Sequence, residues 1–285
     1  MKLSRAFILT FLSTLSWAIG IIIVRYVLKE NGNVFNVNFL STIFVTPYWL
    51  YIFLQNKQQI KTITGKEWLP LILLGIIGGF LVGLTEIFAL KYSPAINFSF
   101  LNRTVIVFTI IFAFIFLKEP INLKKIILTV LILIGCYLLI TKGQQLSFTL
   151  GDIFTITEAC LIALGSVLVK ICVLRFGPDI SNSIAFLISV LPTILIAFFM
   201  KAIYIPESLL LILLSAPLQL ILVQYFRFRA LKIASASYVT MIFSFTPVLV
   251  ALMAIPLLGE SLLPIQVFGG FLIILAGIFV EKLKI

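Results

Sequence analysis

Residues 89–119 read ALKYSPAINFSFLNRTVIVFTIIFAFIFLKE, and residues 230–260 read ALKIASASYVTMIFSFTPVLVALMAIPLLGE. The two stretches have the same length, begin with Ala-Leu-Lys, end with Leu-x-Glu, and align without a gap at an offset of 141. A unit that recurs at a constant offset predicts a fold built from structural repeats.

The match extends toward the N-terminus at an offset of 145. It joins Ala18, Gly20, Arg25 and Pro47 to Ala163, Gly165, Lys170 and Pro192, respectively. The offset changes between Pro47 and Ala89, where the first copy carries the longer polar loop at 55–67. We therefore expect two repeats, formed by residues 1–145 and 146–285.

The composition indicates a membrane protein. Hydrophobic residues make up 62% of the chain, charged residues 11%, and the mean hydropathy is +1.23. A soluble domain has roughly 25% charged residues, and a membrane-spanning helix needs about 20 predominantly apolar residues. Such stretches lie at about 6–28, 35–54, 68–90, 94–117, 123–141, 151–174, 181–200, 208–229, 234–257 and 262–281. The sequence thus predicts an all-α integral membrane protein with ten transmembrane helices.

Each repeat holds five predicted helices, and five is an odd number. The second repeat must therefore enter the bilayer from the face opposite to the first, which gives inverted repeats around a central cavity. This architecture is typical of secondary transporters that work by alternating access, with a substrate site near the bilayer midplane. Transport of a small molecule is the function that the repeat pattern predicts.

The net charge of +11 is distributed unevenly over the predicted loops and helix ends. With the N-terminus inside, fifteen basic residues lie on that face: Lys2, Arg5, Lys57, Lys61, Lys66, Lys118, Lys124, Lys125, Lys170, Arg175, Arg227, Arg229, Lys232, Lys282 and Lys284. The other face has only Arg25, Lys29, Lys91, Lys142 and Lys201. The positive-inside rule then predicts a multi-pass protein of the cell membrane with both termini cytoplasmic. Because the charge excess serves topology, we expect no nucleic-acid partner.

Several short patterns, taken in order, resemble the EamA family of the drug/metabolite transporter superfamily. In the first helix of each repeat, a stretch with small residues precedes a basic residue. Trp17-Ala18-Ile19-Gly20 precedes Arg25, and Ala163-Leu164-Gly165-Ser166 precedes Lys170. Ala-Leu-Lys at 89 and 230 and Leu-x-Glu ending at 119 and 260 complete the set. The resemblance implies a ten-helix carrier that moves a small metabolite, often an amino acid or related compound and often outward, through a central cavity. One departure concerns the proline usual in the fourth helix of each family repeat. The second copy has Pro247, and the first has Ile106.

Arg103 lies near the middle of the fourth predicted helix, where an arginine costs about 2.5–3.5 kcal/mol on insertion scales. It must therefore face protein or water. Ser99, Asn102 and Arg103 form one polar stripe, and the equivalent helix of the second repeat carries another, Ser237, Thr240 and Ser244. Arg103 can contact substrate in the cavity, or it can form a structural ion pair with Glu158, its expected partner inside the membrane.

Two acidic residues lie within predicted helices. Glu158 aligns with Ser13, so the repeat geometry does not require an acid there. It can bind a coupling proton or neutralise Arg103. Glu86 aligns with Arg227 and lies four residues from the end of the third predicted helix. It can take part in proton coupling or extend toward the membrane boundary.

An apolar pocket with a few placed polar groups is typical of a ligand site. We expect the substrate to contact Arg103, Ser99, Asn102, Trp17, Tyr238, Thr240, Ser244 and Gln224. Trp17 and Tyr238 can equally serve packing, and Gln224 can bond a neighbouring helix. Glu158 and Glu86 are the candidates for binding a coupling proton.

The chain has no histidine and only three cysteines, Cys136, Cys160 and Cys172, all within predicted helices. A histidine-based catalytic triad and a typical metal site are thus not expected, and we predict neither enzymatic activity nor a cofactor. The expected partners are a small-molecule substrate, the lipid bilayer and a coupling proton, with the protein as a monomer or homodimer. A scaffold or regulatory subunit, or a channel, are the alternatives. The sequence does not name the substrate or the direction of transport.

Overall fold

A computed structural model describes residues 3–29, 32–93, 95–258 and 262–283. Within these ranges, ten helices are long and apolar enough to cross a membrane. The predicted all-α membrane fold with ten transmembrane helices is therefore confirmed. Glu260, which ends the second Leu-x-Glu motif, lies outside the described residues, as do Lys2 and Lys284.

The helices of the first half are α1 (Arg5–Lys29), α2 (Val34–Gln55), α3 (65–92), α4 (95–117) and α5 (Leu123–Thr141), with a short helix Lys57–Ile60 before α3. Those of the second half are α6 (Leu150–Phe176), α7 (Pro178–Phe199), α8 (209–233), α9 (236–258) and α10 (Pro264–Leu283). Four of the ten are not continuous α-helices. The segments of α3 are Gly65–Glu67 (3₁₀), Trp68–Leu73, Leu74–Leu81 (π) and Val82–Tyr92. The segments of α4 are Ala95–Leu101, Asn102–Thr104 (3₁₀) and Val105–Leu117. In α8 they are Leu209–Pro217, Leu218–Leu222 (π) and Val223–Ile233, and in α9 they are Ala236–Phe243 and Thr246–Leu258.

The irregular turns occur at matching places in the two halves. The π-helical segments of α3 and α8 end at residues 81 and 222, which the offset of 141 relates. Helix α4 is interrupted at Asn102–Thr104, and α9 at 244–245, the equivalent place. Pro247 thus accompanies the break in α9, but α4 breaks without a proline. A hydroxyl satisfies a carbonyl at each break: Thr104 Oγ1 donates to Leu101 O at 2.6 Å, and Thr246 Oγ1 donates to Phe243 O at 2.7 Å.

Contacts between the halves also recur in pairs. A Cβ atom placed on Gly165 of α6 would lie 3.2 Å from Gly78 Cα of α3, and one placed on Gly20 of α1 would lie 2.5 Å from Gln219 Cγ of α8. The offsets of 145 and 141 relate these two contacts. Helix α2 likewise packs against α7, and α5 against α10. Paired contacts of this kind are expected from two repeats of one fold, and the division at 1–145 and 146–285 stays a proposal.

The two ends of the bundle differ in how tightly they close. We call the end where α1 begins and α10 ends the termini face. There, Val105–Leu117 packs against Ala236–Phe243, and the hydroxyls of Thr240 and Thr109 lie 3.5 Å apart. Among the residues that the structure describes, the equivalent segments, Ala95–Leu101 and Thr246–Leu258, make no packing of comparable extent. Helices α4 and α9 are therefore closed against each other at the termini face and separate toward the opposite face.

Gly151 is the tightest contact between α6 and α3. A Cβ atom there would lie 2.1 Å from the Tyr92 carbonyl carbon, and backbone cannot move aside as a side chain can. We expect Gly151→Ala to destabilise the protein by about 1–3 kcal/mol or more, seen as a lower melting temperature. Gly270→Ala is the matched control, because no atom lies within 4 Å of its Cβ position. Equal melting temperatures for the two variants would contradict this close approach.

Candidate acid–arginine site

The register between α3 and α6 places two acids side by side. Gly151 approaches Tyr92 and Gly165 approaches Gly78, so the two helices run antiparallel between these points. Glu158 lies midway between the two contacts on α6, level with residues 85–86 of α3. Helix α6 packs against the Val82–Tyr92 segment of α3, so Glu158 and Glu86 lie at the same level on adjacent helices. Glu86 therefore belongs to the interior of the bundle together with Glu158.

The 3₁₀ turn of α4 brings Asn102 and Arg103 to the same place. Arg103 Nη2 donates to Asn102 Oδ1 at 3.4 Å, and the 3₁₀ turn packs against α6, which carries Glu158. Glu158 is only 3% exposed, and Asn102 is also buried. We call Glu86, Asn102, Arg103 and Glu158 the acid–arginine cluster.

The expected ion pair between Arg103 and Glu158 is not formed. No nitrogen of Arg103 lies within 4.0 Å of a Glu158 oxygen, although the two charges attract each other at longer range. Consequently Arg103 Nε and Glu158 Oε2 are buried without a hydrogen-bond partner.

Unpaired polar atoms at this depth are costly, because burying a polar group without a hydrogen bond costs about 1–3 kcal/mol by mutational measurements. The cluster contains a permanent cation and two carboxyl groups supplied by helices of both halves. A ligand with an anionic and a cationic group could bond both unpaired atoms. The arrangement is therefore suited to bind a small polar molecule or to exchange a proton.

Ser99 lies one turn from Arg103 and bonds another helix. Its hydroxyl accepts a hydrogen bond from Arg25 Nη2 of α1 at 3.3 Å, a bond that is exposed. This contact joins α1 and α4 where α4 and α9 separate. Ser99 therefore lies beside the cluster, toward the face opposite the termini.

The predicted site residues of α9 lie outside the acid–arginine cluster. Thr240 and Ser244 are buried, and the Ser244 hydroxyl donates to Thr240 O at 3.1 Å. They lie at the contact between Val105–Leu117 of α4 and Ala236–Phe243 of α9, which we call the seal between α4 and α9. Tyr238, at the start of α9, donates its hydroxyl proton to Glu281 near the end of α10. The structure thus places Tyr238 at the termini face, apart from the acid–arginine cluster.

Trp17 lies in a second polar group that the sequence analysis did not identify. Its ring is 6.5 Å from that of Phe243, and the Arg227 guanidinium carbon lies 5.8 Å from the same Phe243 ring. Arg227 Nη2 donates to Ser166 Oγ at 2.6 Å. Arg227 was predicted to lie near a helix end; its alignment with Glu86, an intramembrane acid, was the signal that could have identified its place inside the bundle.

Gln224 lies three residues before Arg227 on α8, is partly buried and, within the described ranges, forms no side-chain hydrogen bond. A different glutamine of α8 packs into the interior: Gln219 lies against Gly20, and its Nε2 is buried and unpaired. In the part of the chain that the structure describes, no group of three His, Cys, Asp or Glu side chains could hold a metal ion.

Two carboxylates tie the halves together at opposite faces. At the termini face, Glu281 accepts from Ser4 N at 2.8 Å, from Ser4 Oγ at 3.0 Å and from the Tyr238 hydroxyl. At the opposite face, Asp152 accepts from Thr149 N at 2.7 Å, from Asn97 Nδ2 at 2.8 Å and from the Ser93 hydroxyl. The repeat offsets relate Ser4 to Thr149 and Asn97 to Tyr238. We call these contacts the Glu281 tie and the Asp152 tie.

The Leu-x-Glu motif of the first half adds to the closure of the termini face. Glu119 accepts hydrogen bonds from Ala236 N at 2.7 Å and from Ser237 Oγ at 2.7 Å, so it caps the first turn of α9. A carboxylate at a helix N-terminus is favourable because unpaired N–H groups and the helix dipole meet it there. The sequence motif therefore marks a contact between the two halves.

Comparison with known proteins agrees with this architecture. The profile of the EamA-like transporter family matches residues 4–141 and 149–281. An uncharacterized transporter from Archaeoglobus fulgidus is 26% identical over 289 residues, which cover 99% of this chain and 98% of that protein. A protein of known crystal structure with 13% identity superposes with a TM-score of 0.82 over 99% of this chain and 98% of its own, so it shares the fold. The chain is therefore a multi-pass membrane transporter that belongs to the EamA-like transporter family.

Proposed function

We propose that this protein is a secondary transporter that moves a small metabolite by alternating access between two inverted repeats, with the acid–arginine cluster as the substrate site. One observation carries the proposal: Arg103 Nε and Glu158 Oε2 are buried and unpaired on helices from different halves. A bound substrate can form hydrogen bonds with both atoms. Movement of one half against the other then changes the environment of the bound substrate.

The chemistry of the cluster favours a substrate with a carboxylate. The guanidinium of Arg103 has a planar fork of N–H donors that matches a carboxylate in two parallel hydrogen bonds. Glu158 and Glu86 can accept from an ammonium group on the same molecule. We propose an amino acid or related compound as substrate and export as the direction, with both termini cytoplasmic and the protein in the cell membrane.

The Glu281 and Asp152 ties support alternating access. Each joins one half of the chain to the other, at opposite faces, through positions that the repeat relates. Opening toward one face requires one tie to release while the other holds. Both ties are formed in the structure, and the contact between α4 and α9 closes the termini face. In the proposed cycle, release of the Asp152 tie opens the path toward the opposite face while the Glu281 tie holds.

A proton on the acid pair would couple transport to a pH gradient. Glu86 and Glu158 lie at the same level on adjacent helices, and a proton bound by either carboxyl group removes the repulsion between two like charges. We expect flux driven by a pH gradient to be lost in Glu158→Gln, while exchange of substrate without a gradient persists. Flux into liposomes between about pH 6 and 8 tests this, with the exposed loop variant Glu207→Gln as control. Gradient-driven flux at the parent rate in Glu158→Gln would reject coupling through this acid.

The substrate itself can be found by a thermal-shift screen of the purified protein against amino acids, amines, nucleosides and sugar phosphates. Any stabilising compound is then tested for flux in liposomes. We expect a compound with a carboxylate to raise the melting temperature of the parent protein but not of Arg103→Ala. Stabilisation that survives equally in Arg103→Ala would move the substrate site away from the cluster.

A further inference from the structure

Arg227 of α8 is the second arginine inside the bundle, and residues of three other helices lie around it. It bonds Ser166 of α6 at 2.6 Å and lies 5.8 Å from the ring of Phe243 of α9. Trp17 of α1 completes the wall at 6.5 Å from the Phe243 ring. The site therefore combines a cation, a hydroxyl and two aromatic rings between helices of both halves.

Nothing in the described part of the chain neutralises this cation. No carboxylate lies within 4.0 Å of Arg227, and its hydrogen bond to Ser166 uses one of its five N–H groups. Arg229, two residues along, differs: it pairs with Asp179 at 2.8 Å and stacks on Tyr225 at 3.6 Å. Arg229, near the end of α8, thus forms an ion pair, whereas Arg227, inside the bundle, forms none with the described residues.

The repeat relates the surroundings of Arg227 to the acid–arginine cluster. Arg227 is equivalent to Glu86, and the positions equivalent to Glu158 and Arg103 are Ser13 and Ser244. Ser13 donates its hydroxyl to Val223 O at 3.0 Å. The repeat therefore relates the two acids and one arginine of the acid–arginine cluster to one arginine and two hydroxyls, those of Arg227, Ser13 and Ser244. A ligand that complements it carries negative charge.

The two arginines lie at different depths. Arg227 precedes the last residue of α8, Ile233, by six residues, and Arg103 precedes the last residue of α4, Leu117, by 14. Both helices end at the termini face, so the rise of about 1.5 Å per residue separates the two by about 12 Å along the membrane normal. Arg227 is thus too far from the acid–arginine cluster to share its anionic groups.

We propose that Arg227, with Ser166 and Phe243, forms a carboxylate-binding site between the acid–arginine cluster and the termini face. Ser166 holds one end of the guanidinium and Phe243 lies in cation–π range, which orients the remaining N–H groups for a planar anion. Its place on the transport path rests on the proposed function. Binding of a carboxylate at Arg227 does not, because it is measured without transport.

The fluorescence of Trp17 reports binding at this site. Propionate, which is a minimal carboxylate probe, is titrated into the detergent-solubilised protein while tryptophan fluorescence is recorded. We expect a saturable change that propionamide, the uncharged analogue of similar shape, does not produce, and that disappears in Trp17→Phe. Arg227→Gln should abolish the change, whereas Arg229→Gln, the matched control, should retain it.

Arg227→Lys keeps the charge and avoids the risk that a neutral variant fails to fold. We expect it to weaken propionate binding about tenfold, because an ammonium cannot form the two parallel bonds of the guanidinium fork. Inorganic phosphate in a parallel titration separates a carboxylate site from one for phosphate groups, including lipid headgroups. Stronger binding of phosphate than of propionate would overturn the carboxylate assignment.

Unchanged propionate affinity in Arg227→Lys, or an equal response to propionamide, would overturn the site altogether. Neither result bears on the proposed function, whose test is the flux of Arg103 variants. Conversely, an intact propionate titration together with parent-like flux in the Arg103 variants would leave the Arg227 site in place and reject the acid–arginine cluster as the substrate site.

Discussion

Replacing Arg103 with lysine is expected to lower substrate flux about tenfold or more while the melting temperature stays close to that of the parent protein. The charge remains, so the electrostatic attraction to Glu158 is kept. The planar fork is lost, and with it the pair of parallel hydrogen bonds to an anionic group, and a tenfold effect corresponds to ~1.4 kcal/mol. Flux in liposomes and thermal melting measure the two quantities separately. Arg5→Lys, at an exposed position at the start of α1, is the control.

A double-variant comparison separates binding of substrate from a structural role. If Arg103 only neutralised Glu158, Arg103→Ala would strand a buried carboxylate at a cost of about 3–5 kcal/mol, and adding Glu158→Ala would recover much of it. Because no ion pair within 4.0 Å joins them, we expect little recovery of stability and no recovery of flux. Parent-like flux in a stable double variant would eliminate Arg103 and Glu158 as substrate ligands.

A disulfide across the seal of α4 and α9 is expected to stop transport completely and reversibly. The hydroxyl oxygens of Thr109 and Thr240 lie 3.5 Å apart, so thiols at these two positions would face each other across the seal. Thr109→Cys with Thr240→Cys, in a chain without Cys136, Cys160 and Cys172, would hold the termini face closed. Alternating access then fails because one of its two states is not reached.

Flux is measured after oxidation and again after reduction, which should restore it. The two single-cysteine variants are the matched controls and should transport under both conditions. Retained flux in a chain shown by mass analysis to be cross-linked would contradict rocking of the halves at this seal. It would favour a path that leaves the contact between α4 and α9 unchanged.

The position of the break in α4 follows from comparing the two halves, but its cause does not. Alignment of the halves relates residues 102–104 to the interruption in α9, but the proline that accompanies that interruption has no counterpart in α4. The helix breaks nonetheless, because Thr104 satisfies the freed Leu101 carbonyl. Whether a broken turn is tolerated depends on the hydrogen bonds that replace it, and a threonine hydroxyl can provide one where no proline is present.

The sequence by itself determined the number of spans, the repeat and the membrane environment. These follow from the chain locally, since the length of an apolar stretch and the constant offset between the copies require no knowledge of neighbouring helices. It also placed Arg103, Asn102 and Glu158 inside the membrane, which their positions within apolar stretches require.

Only the tertiary structure decided which of these side chains meet. Asn102 bonds Arg103, Glu86 lies level with Glu158, Tyr238 bonds Glu281 at the termini face, and Arg227 lies in the bundle beside Ser166. Such contacts depend on how far each helix is rotated about its axis and shifted along it against helices distant in sequence. Rotation and shift are set by packing of small residues such as Gly151 against the neighbouring backbone, and no single helix encodes them.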